Sequence, residues 1–333
     1  MTAVWKDYWI EYRYSGERLN YYIEIDETGE VIYEGVAVKR PNEDVYRFEI
    51  GDIVRGYLNS NFNLDEDSFN RKEDVVYHLP KYLLTFNVIN KDNNERIQQE
   101  QFFNSYDFND TWEIESVSEF LFDFRPKIFV QNRPFFFSVY DTDYNTLIVE
   151  DKDNREVVIM DAESEGANVF QIGAFGLPVG KYDMYFAQVK FPIEVVSECE
   201  YPYSLYYQNA RGGWSTMHMR GRRQMEVDKL NYHTYKTNGS LTDVNKPQTV
   251  RYQTDITKTW TLYTDWMNDE ESNEIYNLLT SQKVFLYDDM ITSRLHPVII
   301  TNKEVEYKTF ENQKRKKYYY TINVESANTI KKL

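Results

Sequence analysis

The chain reads as a mainly β protein, with antiparallel β-sandwich domains followed by a C-terminal α+β domain that lays one helix on an antiparallel sheet. Three observations predict this. Aromatic residues make up 17% of the chain, with 29 Tyr and 20 Phe, which are residue types enriched in strands. Gly and Pro number only 13 and 9, too few for disordered or low-complexity sequence. Apolar and polar residues alternate with period two in run after run, whereas convincing helical spacing occurs once. The 333 residues exceed the usual single-domain size of about 100 to 150. Three units are expected: sandwiches over residues 1–112 and 113–196, and an α+β unit over residues 197–333.

The first strands follow from alternation. Tyr21, Ile23 and Ile25 share a face, and Val31-Ile32-Tyr33 returns after the turn-like Glu27-Thr28-Gly29-Glu30, which predicts a hairpin. The period recurs at Tyr46, Phe48 and Ile50, and again at Tyr82, Leu84, Phe86 and Val88. A second set of strands is expected at Phe135–Tyr140, Thr146–Val149, Val157–Met160, Val169–Ile172 and Tyr182–Phe191. Past Phe191-Pro192 the composition turns basic. A helix is predicted from an N-cap at Asn268, with Glu271 in the reciprocal capping position and Ile275, Leu278 and Leu279 as its apolar stripe. Alternation at Thr259–Leu262 precedes it, and Val284–Tyr287 and a last strand carrying Tyr318, Tyr320, Ile322 and Val324 follow it.

Few motifs carry chemistry. Asp141-Thr142-Asp143-Tyr144-Asn145 spaces oxygen ligands like the start of a calcium loop, but Thr146 stands where a Gly is needed and Lys152 where a Glu should close the shell. An acidic hairpin turn is the better reading, and the same holds for Asp151–Glu156. His78, His218, His233 and His296 lack metal spacing, and Cys199 is the single cysteine, so no intrachain disulfide forms. Nucleophile-elbow, phosphate-loop and dinucleotide signatures are absent. With 54 acidic residues, a pair of carboxylates suited to glycoside cleavage has no diagnostic value. Neither an enzyme nor a cofactor is expected. The first residues lack a basic start and apolar core, and no run approaches the roughly 20 apolar residues of a membrane span. A soluble chain without membrane insertion is therefore expected.

Charge is uneven along the chain. Residues 1–200 hold 39 acidic and 19 basic side chains, net −20, and residues 201–333 hold 15 and 19, net +4. Two differently solvated surfaces would account for this. So would a basic C-terminal part that meets the acidic N-terminal part of a neighbouring copy. The clusters Arg220-Gly221-Arg222-Arg223 and Lys314-Arg315-Lys316-Lys317 read first as solvated loops.

The segment Tyr203-Ser204-Leu205-Tyr206-Tyr207-Gln208-Asn209-Ala210-Arg211-Gly212-Gly213-Trp214 resembles the Tyr-rich, Gly-Gly-Trp motif of tail proteins from crAss-like phages that infect Bacteroides. The resemblance runs on through Trp260–Trp266, Asp269–Ser272, Leu278–Ser281 and Pro297–Thr301, and covers residues ~200–328. It implies a structural virion protein: a subunit of a closed ring in the tail barrel below the portal, part of the conduit for genome ejection, assembled in the host cytoplasm. Its partners would be further copies, neighbouring tail proteins or the portal, and DNA in passage. No catalytic residue is implied.

Candidate subunit contacts are Tyr206, Tyr207, Trp214, Arg220, Arg222 and Arg223. For the aromatic three, the alternative is that they fill the core of their own domain. Two other functions are weighed: a receptor- or glycan-binding tail fiber subunit, and a tail-associated glycan hydrolase.

Overall fold

The computed structural model describes residues 2–3, 8–41, 43–58, 74–79, 82–103, 118–120, 128–141, 143, 145–162, 166–173, 177–187, 189–198, 203–220, 225–236, 249–265, 267, 269–288, 294–302, 319–328 and 330–332. They divide into two units, Met1–Val195 with Gln208–Ser215, and Val196–Tyr207 with Thr216–Leu333. The fold is mainly β, built largely from antiparallel sheets, with two short helices among the described residues.

The first unit begins with β1 (Thr2–Ala3), β2 (Trp9–Tyr12), β3 (Arg18–Ile25), β4 (Val31–Val38), β5 (Tyr46–Glu49), α1 (Gly51–Leu58), β6 (Val75–His78), β7 (Leu83–Asn90) and β8 (Glu95–Phe103). Strand β3 buries Leu19, Tyr21, Ile23 and Ile25 on one face, as its alternation requires. It pairs with β4 through the expected hairpin, and Gly29 takes the left-handed turn position at φ 66°. A five-stranded sheet in the order β1-β8-β7-β3-β4 shares its core with the small β2–β5 sheet and with α1. Gly35 faces Tyr21 across the hairpin, and a Cβ there would fall 2.9 Å from the Tyr21 ring. The missing side chain lets that ring lie 4.3 Å from Phe48.

The period at Tyr46, Phe48 and Ile50 gives β5 as predicted, and what the sequence did not announce is the helix that follows it at once, α1. Its β-branched residues Ile53 and Val54 favour a strand by propensity, but propensity is a weak prior. The helix buries Val54 and Leu58 one turn apart, and the Glu49 carboxylate accepts a hydrogen bond from the Asp52 backbone N–H at 3.3 Å. Strand β6 leaves this lobe altogether and pairs with β14.

The remainder of the first unit comprises β9 (Ser118–Phe120), β10 (Ile128–Val130), β11 (Pro134–Asp141), β12 (Thr146–Glu150), β13 (Glu156–Asp161), β14 (Gly166–Gly173), β15 (Gly180–Phe186) and β16 (Val189–Val196). Two sheets, β6-β14-β11-β9 and β10-β16-β15-β12-β13, contribute to one apolar core. Phe129 and Phe135 stack in it with centroids 4.2 Å apart. The run Tyr182–Phe191, expected as one strand, is two strands in antiparallel register, with Phe186 opposite Val189. Ala187 makes the reversal at φ 51° without the Asn-Gly or Asp-Gly signal that usually announces such a turn.

In the second unit, β17 (Tyr203–Gln208), β18 (Trp214–Met219), β19 (Met225–Lys236), β20 (Thr249–Tyr263), β21 (Val284–Asp288), β22 (Arg294–Ile300), β23 (Thr321–Ser326) and β24 (Ile330–Lys332) form one sheet. Its order is β18-β17-β21-β22-β23-β20-β19, with β24 also on β20. The helix α2 (Asp269–Thr280) buries Ile275 and Leu278 in the unit's core. The expected cap Asn268 and Tyr318 of the last strand lie outside the described residues.

Candidate functional site

The β17–β18 hairpin holds the segment on which the resemblance rests. All six residues of β17 are buried, on both faces of the strand. Alternation sends Tyr203, Leu205 and Tyr207 into the core that also takes up α2. The Tyr207 hydroxyl donates to the carboxylate of Glu274 on α2, itself buried. On the opposite face the Ser204 hydroxyl lies 2.8 Å from Nδ1 of His218. Ser204 has no exposed surface, so no substrate carbonyl can reach its Oγ, and the pair works as a buried hydrogen bond across the hairpin.

The hairpin tip, residues 208–215, belongs to the first unit. Gly212, Gly213, Trp214 and Ser215 are buried, so the tip's backbone groups need protein partners in place of water. Asn209 supplies several. Its Oδ1 accepts from the N–H groups of Arg211 (3.0 Å) and Gly213 (3.1 Å), and its Nδ2 donates to the Ser215 hydroxyl (2.8 Å). Backbone bonds from Asn209 N–H to Gly213 O (2.8 Å) and from Gly212 N–H to Asn209 O (2.9 Å) close the loop. Gly212 sits at φ 82°, a conformation that disfavours any residue with a Cβ. Around the tip, the Trp214 N–H donates to the Ser138 hydroxyl at 2.7 Å, and the Tyr82 hydroxyl donates to the Arg211 carbonyl at 2.9 Å.

This geometry places the expected contact residues. Tyr206 and Tyr207 are 0% exposed and Trp214 is 1% exposed, so their rings offer no surface to a neighbour, and they fill their own chain's interior. Arg220 is half-buried and forms an ion pair with Asp265. Arg222, Arg223 and the cluster Lys314–Lys317 lie outside the described residues.

Of the acidic runs, Asp151–Arg155 closes the β12–β13 hairpin, whereas the run from Asp141 joins β11 of one sheet to β12 of the other and so is a link between sheets where a hairpin turn was expected. The buried Asp141 carboxylate accepts from the Asn145 backbone (2.6 Å) and side chain (2.7 Å) and from the Asp143 N–H (3.2 Å). Asp151 accepts from the N–H groups of Asp153 (2.8 Å) and Arg155 (3.0 Å). The Arg155 bond is the main reason that its carboxyl sits below the usual range. Among the described residues, no three His, Cys, Asp or Glu side chains converge as metal ligands. No helix among them is long and apolar enough to cross a membrane.

A cluster of exposed aromatic side chains lies elsewhere, on the β19–β20 ribbon, of which only Thr259–Leu262 is predicted from alternation. Leu230, Tyr232, Tyr235 and Tyr252 are 46–51% exposed there. The Arg251 guanidinium stacks 3.7 Å over Tyr232, and His233 Nε2 lies 2.7 Å from the Asp255 carboxylate. The alternating, Thr- and Tyr-rich run Thr249–Tyr263 was the available signal. No protein-family model matches this chain, and no curated protein matches it.

Proposed function

We propose that this chain is a structural virion protein, a subunit of an oligomeric ring in the tail barrel of a crAss-like phage, forming part of the conduit for genome ejection. One observation carries the reading: the Tyr-rich, Gly-Gly-Trp segment that resembles those tail proteins serves the architecture. Its aromatic residues are buried, its polar residues knit a loop, and its Ser204, bonded to His218, is closed to substrate. A segment used this way suits a scaffold. The split of net charge, −20 over residues 1–200 against +4 over residues 201–333, suits subunits that meet head to tail. With this reading go β-sandwich lobes ahead of an α+β assembly domain, no catalysis, partners among further copies and neighbouring tail or portal proteins, and assembly in the host cytoplasm.

A second reading, a receptor- or glycan-binding fiber subunit, draws on the exposed tyrosines of the β19–β20 ribbon, because aromatic faces are common sugar platforms. Light scattering on the purified protein, with negative-stain images of the same sample, separates the two. Closed rings of many copies are the expected result. A trimer that binds glycans would replace the ring with the fiber.

A further inference from the structure

We infer that β19 of one copy of this chain adds to the edge of β4 that has no ladder partner among the described residues, extending the next copy's five-stranded sheet head to tail. The inference deepens the ring reading and rests on it.

The donor is a ribbon built for contact. On one side β19 pairs with β20 from Met225 opposite Thr261 to Lys236 opposite Thr249; on the other it is the edge of the sheet, with no ladder partner among the described residues. Over residues 228–236 nearly every side chain is exposed on both faces, yet Leu230, Tyr232 and Tyr235 stand among them at 49%, 46% and 50% exposure. A two-stranded ribbon with neither face covered is marginal alone, and exposed apolar rungs on it are costly unless something covers them. The ribbon is nevertheless ordered in advance. Arg251 stacks on Tyr232, His233 and Gln253 both bond Asp255, Lys229 lies 3.2 Å from Glu325, and β24 backs β20 at residues 254–256. Preorganisation of this kind lowers the entropy lost on binding.

The acceptor has the matching defects. As the last strand of its sheet, β4 presents eight residues without Pro or Lys, and Val31, Tyr33, Val36 and Val38 are 48%, 39%, 58% and 63% exposed. Glu34 is the single charged residue of β4, and its carboxylate already pairs with Lys91 at 2.6 Å, so the edge is long and mostly apolar, a template for another strand. Charge selects which strand comes. The β4 hairpin carries Glu27, Glu30 and Glu34 within the acidic residues 1–200, while the exposed end of the ribbon, residues 228–236 and 249–252, sets Lys229, Lys236 and Arg251 against Asp228, net +2. Two chains of the same kind would therefore meet through unlike surfaces, a heterologous contact that closes into a ring when its rotation closes.

Single cysteines placed one at a time along Val31–Val38, each in a Cys199→Ser chain, are mixed with a Cys199→Ser chain carrying Thr234→Cys and oxidised. A disulfide-linked pair of chains is expected, with yields alternating along β4 at the period of a strand. In parallel, Leu230→Lys with Tyr232→Lys, both at exposed positions, should keep the circular dichroism of the parent and weaken self-association by roughly tenfold or more. Rings that persist in the lysine variant, or cysteines that link only at control positions, overturn this contact and leave the ring reading standing. A parent chain that remains monomeric at every concentration overturns both, and points to a strand of another protein as the partner of these edges.

Discussion

Asn209 carries more of the architecture than its size suggests. A loop buried in protein has backbone N–H groups with no water to satisfy them, and a short amide that accepts twice and donates once settles three groups in one place. Replacing it with Ala removes all three bonds, which takes the acceptor from the buried Gly213 N–H and from the half-buried Arg211 N–H. Asn209→Ala should therefore lower stability by about 2–4 kcal/mol, read as a lower urea midpoint at unchanged slope. A variant within a few tenths of a kcal/mol of the parent would mean that the tip rearranges or admits water. At this scale the sequence showed which residues were unusual without showing which way they face. Tyr206, Tyr207 and Trp214 have the composition of a contact surface, and burial makes them interior. Composition alone does not separate the two, because large aromatic rings serve both cores and interfaces.

Among the elements, α2 was legible and α1 was not. Asp269–Thr280 shows its period of 3.6 in Ile275 and Leu278, and both are buried. Gly51–Leu58 has eight residues, too few to establish a period, and its β-branched content argues the other way. The β15–β16 reversal was hidden because Ala187 adopts a left-handed conformation usually signalled by Gly or Asn. Packing of α2 includes a polar contact at an apolar core, where the Tyr207 hydroxyl donates to the buried Glu274 carboxylate. Tyr207→Phe keeps the ring and removes the donor, so stability should fall by about 1–3 kcal/mol. Glu274→Gln in the Tyr207→Phe background should cost less than the same change in the parent. A double-mutant cycle with zero coupling energy would show that the pair contributes nothing to docking the helix.

For the whole molecule, tyrosine titration sets an alkaline limit on stability. Burial pushes Tyr21 up to about 12, and burial first, then nearby carboxylates, raises Tyr8, Tyr12, Tyr14, Tyr46, Tyr57 and Tyr182 above the ordinary 10.0. A raised folded-state value means that the native chain holds protons which the unfolded chain has already released. Stability is thus fully present below pH 10 and declines as pH rises toward 12. Urea midpoints measured across this window should fall together with the appearance of tyrosinate absorbance. Tyr21→Phe should recover about 1 kcal/mol of the loss near pH 11, and an unchanged pH profile in that variant would refute the assignment.

The sequence by itself determined the mainly β character, the β3–β4 hairpin, the stripe of α2 and the acidic hairpin turn at Asp151. Each of these depends on neighbours two to four residues apart, a distance that side-chain periodicity and turn chemistry record directly. Tertiary structure alone decided that β6 crosses to β14, that residues 208–215 join the first unit, and that apolar side chains of β4 and β19 remain exposed at sheet edges. Those outcomes depend on residues tens of positions away, and an alternating strand carries the same pattern whichever strand it pairs with.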